Sequence, residues 1–469
     1  MCSVHAPDPP VKRPSAAVLR PGLGPVSFLS LSEDTKHGHL ILGAGLTGLS
    51  AALHAARADS TPVTVFERAD EVGGKARSRR RDGYTFDITG HWLHLRDDRV
   101  RALADEVFSP GDLVEIERKT GIYTHGVMLP YPFQANLHGL PLPVVQECLA
   151  TFIEAQVAAA SPQASAQRTF EDFAVARFGR GIAEHFFIPY NRKLWGEAYD
   201  DLTPDWISRF VPLPDVRQVV GGAIGLRQEG LGYNVRYLYP TGGGIDALPK
   251  ALGRAVDAAG ATVRVATDVV RIDPVARQVH TADGRTQSYG RLVSTLPLPE
   301  LVKRIDGIPD ALREAAGRLR WVRWRYLDVG TRSPVPMEEH WVYVPDPQTP
   351  FFRVGCYSNA LPAMAPAGCG SLYVELANRD TPPDLPVIFA GLAQMGALAS
   401  PDDAAFADVH DIEYAYVVFD QAYAGAREAL FDHLEGLGIR SCGRYGAWIY
   451  NSMEDSILAG MEAAQWLNA

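Results

Sequence analysis

The sequence predicts an α/β protein: a Rossmann-like βαβ unit, a helical insertion and a strand-rich second unit. Three observations carry the prediction. An apolar run, His39-Leu40-Ile41-Leu42, leads into Gly43-Ala44-Gly45-Leu46-Thr47-Gly48 and then a helical stretch from about Leu46 to Ala58. Helical periodicity returns from about Pro141 to Phe187, in PVVQECLATFIEAQVAAA and FEDFAVARFGRGIAEHFF. Strand-like alternation marks TVRVA, VVRID and RLVSTLP, and again Arg318 to Ala377 with WVYV, FFRVGCYS and SLYVELA.

Taken in order, residues 1–37 are Pro- and Ser-rich without periodicity and read as a mobile N-terminal arm. The arm lacks a continuous apolar segment, so no secretory signal is expected. A discontinuous nucleotide-binding domain is expected over 38–110, 235–300 and 405–469. A helical substrate or lid insertion is expected over 111–205, and a strand-rich substrate domain over 206–234 and 301–404. The chain of 469 residues is 46% apolar and 21% charged, enough for a large core. Its 55 acidic against 45 basic residues argue against a nucleic-acid or anionic-membrane partner. The 5 cysteines show neither CxxC nor Cys/His metal spacing, so no metal is expected and a reducing, cytoplasmic compartment is. No apolar run reaches membrane-spanning length, and no repeat of solenoid period is visible. Oligomeric state is left open.

The glycine turn has a dinucleotide-binding context. It follows a strand and opens a helix. Glu67 lies 24 positions after Gly43 at the end of the next strand, and Gly73-Gly74 follow it. The first glycine permits the tight turn, the second lets backbone approach a pyrophosphate, and the third lets helix pack on strand. The helix N-terminus offers N–H groups and partial positive charge to phosphates, and Glu67 an acceptor to a ribose. The Glu-then-Gly-Gly extension resembles the FAD-binding fold of the glutathione-reductase and amine-oxidase superfamily. The resemblance implies FAD, contacted by Gly43, Gly45, Leu46, Thr47, Gly48, Glu67, Arg68, Gly74 and Lys75. VATDVVRID is similar to the strand whose valine backbone meets adenine, which designates Val269. Gly443-Arg444-Tyr445-Gly446 resembles the C-terminal flavin motif, so Gly443, Arg444 and a helix N-terminus at Met453 are expected at the flavin. The basic run Lys75, Arg77, Arg79, Arg80, Arg81 is expected as a solvated face whose first members reach the pyrophosphate.

Further stretches resemble the flavin-dependent UDP-galactopyranose mutases. Thr89-Gly90-His91-Trp92-Leu93-His94 is similar to their histidine loop, and Pro130-Tyr131-Pro132-Phe133-Gln134 to a segment of eukaryotic-type members. Phe187-Ile188-Pro189-Tyr190-Asn191-Arg192-Lys193-Leu194-Trp195 and Trp206-Ile207-Ser208-Arg209 resemble the substrate helix and the first diphosphate arginine. Phe351-Phe352-Arg353 resembles the strand carrying the second arginine, and Trp448-Ile449-Tyr450-Asn451 the terminal tyrosine motif. The resemblance implies that reduced FAD N5 attacks the anomeric carbon of a nucleotide-diphosphate sugar and that pyranose and furanose forms interconvert. His91 and Gly90 would then meet the isoalloxazine. Arg209 and Arg353 would hold the diphosphate, with Asn191, Trp195, Asn234, Tyr343, Tyr416 and Tyr450 lining the substrate. NAD(P)H or another reductant would charge the flavin. A loop at Tyr131–Gln134 or Asn191–Trp195 would exclude water.

The residues themselves leave alternatives open. Arg209 and Arg353 sit among apolar neighbours, and a guanidinium there needs an anion, either an internal carboxylate or a bound diphosphate. His94 reads equally as structural. Ala360 replaces a tyrosine of eukaryotic-type mutases, and Ser452 an aspartate of bacterial ones, both at substrate contacts. An FAD-dependent oxidase or dehydrogenase of the amine-oxidase or protoporphyrinogen-oxidase type is the competing enzyme. A flavoprotein that serves only as a binding module is the third reading.

Overall fold

The computed structural model describes residues 37–160, 167–204, 211–226, 235–377 and 380–469. The N-terminal arm up to residue 36, Arg209 and Asn234 lie outside the described residues.

A parallel sheet of five strands forms the nucleotide-binding layer, in the order Ile439–Ser441, Leu292–Ser294, His39–Leu42, Val63–Phe66, Thr262–Arg264. Leu40 pairs with Leu292 on one side and Thr64 on the other. The strands therefore come from three separated stretches of chain, 39–66, 262–294 and 439–441. His39–Leu42 is buried throughout, as a central parallel strand requires. The helix Leu46–Ala58 packs against the C-terminal helix Met453–Leu467, and a Cβ on Gly460 would fall 2.4 Å from the Thr47 carbonyl oxygen. Gly460 beside Thr47 and Asn468 Nδ2 donating to the Ala55 carbonyl (3.4 Å) make the two helices run side by side in the same direction. The expected strand–helix–strand unit is present within a residue or two of its predicted bounds.

A seven-stranded sheet forms the second layer, in the order Ala404–Val417, Trp321–Thr331, Ser371–Leu376, Phe351–Cys356, Trp341–Tyr343, Thr120–Thr124, Val127–Pro130. One face covers a cluster of Leu327, Val354, Leu372 and Val374. The opposite face turns aromatic side chains toward the helical insertion. That insertion comprises Leu142–Ala159, Phe170–Ile182, a π-helical turn at Ala183–Phe187 and Ile188–Trp195. Its core is aromatic: Phe152, Phe170, Phe178, Phe186 and Phe187 are buried together. Lys193 fastens the last helix to the sheet by donating to the carbonyls of Val344 and Asp346, each at 2.8 Å. Burial pulls its ammonium down to about 7.

The four described cysteines are free thiols. Among the described residues no helix is long and apolar enough to cross a membrane. The expected solvated basic face is present, with Arg79, Arg80 and Arg81 exposed, and each of them also finds a partner there. Arg80 forms a fork onto buried Asp246 (2.9 and 3.0 Å), Arg81 pairs with Asp408, and Arg79 donates to Tyr326. These arginines rivet the Ser78–Arg81 strand to neighbouring elements because carboxylates distant in sequence meet them.

Candidate flavin and substrate site

The glycine turn is built as a cradle. Gly43 has φ +97°, and a Cβ there would meet Thr295 Oγ1 at 2.3 Å, so only glycine fits. A Cβ on Gly48 would lie 1.9 Å from the Gly43 carbonyl oxygen, which is the close helix–strand approach expected of the third glycine. Gly45 is different. Its φ is an ordinary −75°, and a Cβ would meet nothing nearer than Gly74 Cα at 3.9 Å. No protein atom demands glycine there; open space in front of a helix N-terminus does, and that space suits a pyrophosphate. Glu67 is oriented by two backbone donors, Ala44 N to Oε2 and Ala69 N to Oε1, both at 2.8 Å. Its remaining lone pairs are available to ribose hydroxyls. Val269 opens the adjoining strand, buried beside Phe66, and its carbonyl accepts from Arg304 Nε at 2.9 Å.

Gly74 approaches Gly45 across the cradle, and Gly73 N donates to the Ala44 carbonyl at 2.8 Å. Lys75 follows directly. Burial, reinforced by Arg77, Arg79 and Arg68, pulls its ammonium down to about 8. On the C-terminal side, Gly443 (φ +77°) abuts Thr47, and Ser452 caps the helix that starts at Met453 through a reciprocal pair with Asp455. Ser452 thus has a structural use of its own. Glu454 in the first turn accepts from the backbone N–H groups of Arg96 and Asp97, which fastens the histidine loop to this helix.

His91 stands in that loop. Thr89 before it has φ +61°, a conformation costly for a β-branched residue, and is buried. The Tyr357 hydroxyl lies 3.0 Å from the carbonyls of both Asp87 and Thr89 and holds the turn. Burial draws the His91 pKa down to about 4; the Thr89 carbonyl opposes this, and the charges of Arg444 and Lys75 add to it. His91 is therefore neutral at pH 7. His94 points elsewhere: its Nδ1 lies 3.0 Å from the Arg236 carbonyl and its ring packs on Tyr237, a structural arrangement.

Arg444 donates to the carbonyls of Asn451 (2.6 Å) and Ala415 (3.3 Å), with its guanidinium carbon 4.6 Å from the Tyr450 ring centroid and 5.1 Å from that of Tyr416. Tyr416 stacks on Tyr450 (5.1 Å), leans on Trp324 (4.6 Å) and meets the edge of Trp195 (5.7 Å). Tyr190 packs edge-on to Tyr343 (5.4 Å), which also meets Tyr131 (5.5 Å). Phe352 joins the two groups, meeting Tyr190 (6.1 Å) and Trp324 (5.2 Å), so the expected Tyr343, Tyr416, Tyr450 and Trp195 are gathered into one aromatic wall. Tyr190 and Trp324 belong to it without having been designated. Asn191 is turned inward: it donates to the Phe187 carbonyl (2.8 Å) and accepts from Trp195 Nε1 (3.2 Å). The i,i+4 spacing of Asn191 and Trp195 on a helix already implied that pairing.

Arg353 has an internal partner. It lies on Phe351–Cys356, directly across from Glu375 on Ser371–Leu376, next to a register shift between Phe351 and Arg353. Its Nε and Nη2 grip the two oxygens of Glu375 as a fork, the second at 2.7 Å. The Glu375 side chain is 0% exposed and that of Arg353 18%. Burial works against the guanidinium, but Glu375 more than offsets it, and the pKa of Arg353 is raised. Of the two anions the sequence left open, the internal carboxylate is present, and Nη1 is the donor edge it leaves over. An acidic residue alone in the apolar strand SLYVELA was the available sign of Glu375.

The parallel sheet, the cradle and the flavin-side loop together define an FAD-dependent flavoprotein. The flavin-containing amine oxidoreductase profile matches residues 46–467, and the chain belongs to that family. FAD is its cofactor. The structure is similar to that of reduced UDP-galactopyranose mutase, with a TM-score of 0.85 and 25% identity over 92% of this chain and 93% of that one. It also shares a fold with the cyclohexylamine oxidase of Brevibacterium oxydans IH-35A, at TM-score 0.66, 15% identity and coverage of 92% and 98%. Among curated proteins it is similar to coproporphyrinogen III oxidase of Staphylococcus aureus, 25% identical over 258 residues. That match takes in 49% of this chain and 53% of the relative, so the chain spans about half the length of that relative. A 4,4'-diapophytoene desaturase of Staphylococcus haemolyticus is 39% identical over 66 residues, 14% of this chain and 13% of its own.

Proposed function

We propose that this flavoenzyme interconverts pyranose and furanose forms of a nucleotide-diphosphate sugar, in the manner of the UDP-galactopyranose mutase it resembles. The observation that carries the reading is the wall of Tyr190, Tyr343, Tyr416, Tyr450, Trp195 and Trp324 with two guanidinium groups against it, Arg353 over Trp324 and Arg444 over Tyr416 and Tyr450. Aromatic faces suit a sugar and a base, hydroxyls a diphosphate, and the open edge of Arg353 a phosphoryl oxygen. Reduced FAD supplies the nucleophilic nitrogen for the anomeric carbon. Arg353, with Arg209, steadies the negative charge of the departing diphosphate. Neutral His91 sits beside the flavin without adding charge. Asn234 is assigned to the same substrate site, Trp195 covers the sugar, and an external reductant such as NAD(P)H charges the flavin. The test is anaerobic incubation of dithionite-reduced holoprotein with UDP-galactofuranose; pyranose product is expected, and its absence defeats the reading.

A second reading has its own observation. The charge of Arg353 is already balanced by Glu375, which lowers the need for an anionic substrate. An FAD-dependent oxidase acting on a porphyrinogen or polyene, as the names of the curated relatives suggest, would release peroxide or pass electrons onward from oxidised holoprotein. Peroxide from coproporphyrinogen III, with no response to UDP, would favour it.

A further inference from the structure

We infer that His125 and His185 bind one divalent transition-metal ion of the zinc type between them, and that this ion ties the edge hairpin of the seven-stranded sheet to the helical insertion. The inference stands apart from the sugar-nucleotide reading and from the flavin.

Each ligand is set by its backbone. His125 and Gly126 are the two residues that join Thr120–Thr124 to Val127–Pro130, and both have positive φ, +51° and +74°. That is the two-residue hairpin turn whose twist matches its strands, so His125 stands at a fixed, exposed tip. His185 lies in the π-helical turn Ala183–Phe187, a widened turn of the kind that recurs at functional sites. The two histidines are 60 positions apart, so no spacing motif marks them.

In the fold His125 Nε2 and His185 Nδ1 lie 3.2 Å apart, with ring centroids 5.1 Å apart. His185 Nε2, on the far side of its ring, lies 3.2 Å from Glu147 Oε2. A carboxylate only accepts, so Nε2 carries the imidazole proton and Nδ1 turns its lone pair to His125. Without an ion, His125 Nε2–H donates to that lone pair. Shifting this proton to His125 Nδ1 through solvent leaves two lone pairs facing one point. Two imidazole nitrogens on a tetrahedral zinc, each bonded at about 2.0–2.1 Å, stand about 3.3–3.4 Å apart. The pair therefore needs almost no movement to share an ion. Glu147 then completes the carboxylate–imidazole–metal arrangement that orients the ring and raises its basicity. Imidazole donors favour zinc, copper or nickel over magnesium or calcium. Among the described residues no group of three or more His, Cys, Asp or Glu side chains is placed to hold an ion, so water fills the positions the two imidazoles leave. The ion joins the sheet to the turn that runs directly into Ile188–Trp195, the helix of Asn191 and Trp195.

The test uses untagged holoprotein, stripped with EDTA and titrated with zinc chloride by calorimetry near neutral pH. Wild type is expected to take up one zinc per chain and to ignore magnesium. His125→Asn, which keeps a residue tolerant of positive φ, and His185→Gln are each expected to abolish that uptake, with flavin absorbance retained. Glu147→Gln is expected to weaken it about 10- to 100-fold. The two ligands stand on separate elements, so either variant decides the matter if the other does not fold. Wild type that binds no zinc, or zinc uptake undiminished by the histidine substitutions, overturns the inference. Hydrogen exchange tests the bridge. Zinc should slow the amides of 124–126 and 183–187 together in wild type and in neither histidine variant; slowing of one segment alone contradicts it.

Discussion

Two glycines of one motif should fail for opposite reasons. Gly45→Ala adds a methyl that meets nothing closer than 3.9 Å, on backbone of ordinary φ. The apoprotein should change by no more than about 0.5 kcal/mol. The same methyl occupies the space through which a pyrophosphate would approach, and overpacking of this kind costs about 1–3 kcal/mol. That corresponds to FAD bound roughly 5- to 150-fold more weakly. Gly48→Ala places its methyl 1.9 Å from a backbone oxygen inside the protein. There the cost, again about 1–3 kcal/mol or more, falls on the fold itself with or without cofactor. Thermal unfolding of the apoproteins and calorimetric titration with FAD separate the two. Gly45→Ala binding FAD like wild type, or destabilising the apoprotein as much as Gly48→Ala, would refute the cradle argument.

Other outcomes can be checked together. Arg353→Ala strands the wholly buried Glu375 and removes the open donor edge, so UDP affinity should fall by about 2–5 kcal/mol in a calorimetric titration; unchanged affinity removes Arg353 from the site. Burial pushes the carboxyl of Asp87 up to about 7, against the opposing hydrogen bonds of Ser78, Tyr239 and Ile245. The folded state then holds a proton that the unfolded chain releases near its ordinary value, so stability is greatest below that value and declines as pH rises toward 7, by roughly 1.4 kcal/mol per pH unit. Asp87→Asn, which mimics the protonated acid, should flatten urea-unfolding stability between about pH 5 and 7; an unaltered slope contradicts the assignment. Ser452→Ala should lower stability by about 1 kcal/mol through loss of the helix cap, with flavin content intact; loss of UDP binding instead would make Ser452 a substrate contact.

The cofactor cradle was legible because its residues stand in one motif-bearing βαβ unit. Gly48 meets the Gly43 carbonyl within the turn itself, and Glu67 takes the N–H groups of Ala44 and Ala69 inside that unit, whereas Thr295, which excludes a side chain at Gly43, comes from far along the chain. The aromatic wall was partly legible, since Tyr343, Tyr416, Tyr450 and Trp195 stood in motifs, whereas Trp324 joined it only through strand pairing. The partner of Arg353 was not legible from spacing. Glu375 lies 22 residues on, and meets it only once two antiparallel strands adopt a register interrupted at Phe351/Arg353. The solvated basic run was legible, whereas the carboxylates that meet Arg80 and Arg81, Asp246 and Asp408, reach them only across the tertiary fold.

The central claim is that reduced cofactor and substrate-side guanidinium groups act on a nucleotide sugar without net oxidation. Its most direct measurement is a pair of anaerobic progress curves with UDP-galactofuranose, one from dithionite-reduced and one from oxidised holoprotein, each read by chromatography of the sugar nucleotide. Pyranose accumulating only with the reduced protein, with the flavin still reduced at the end, is the predicted result. No conversion by either form, or flavin oxidation in step with substrate loss, would contradict the account.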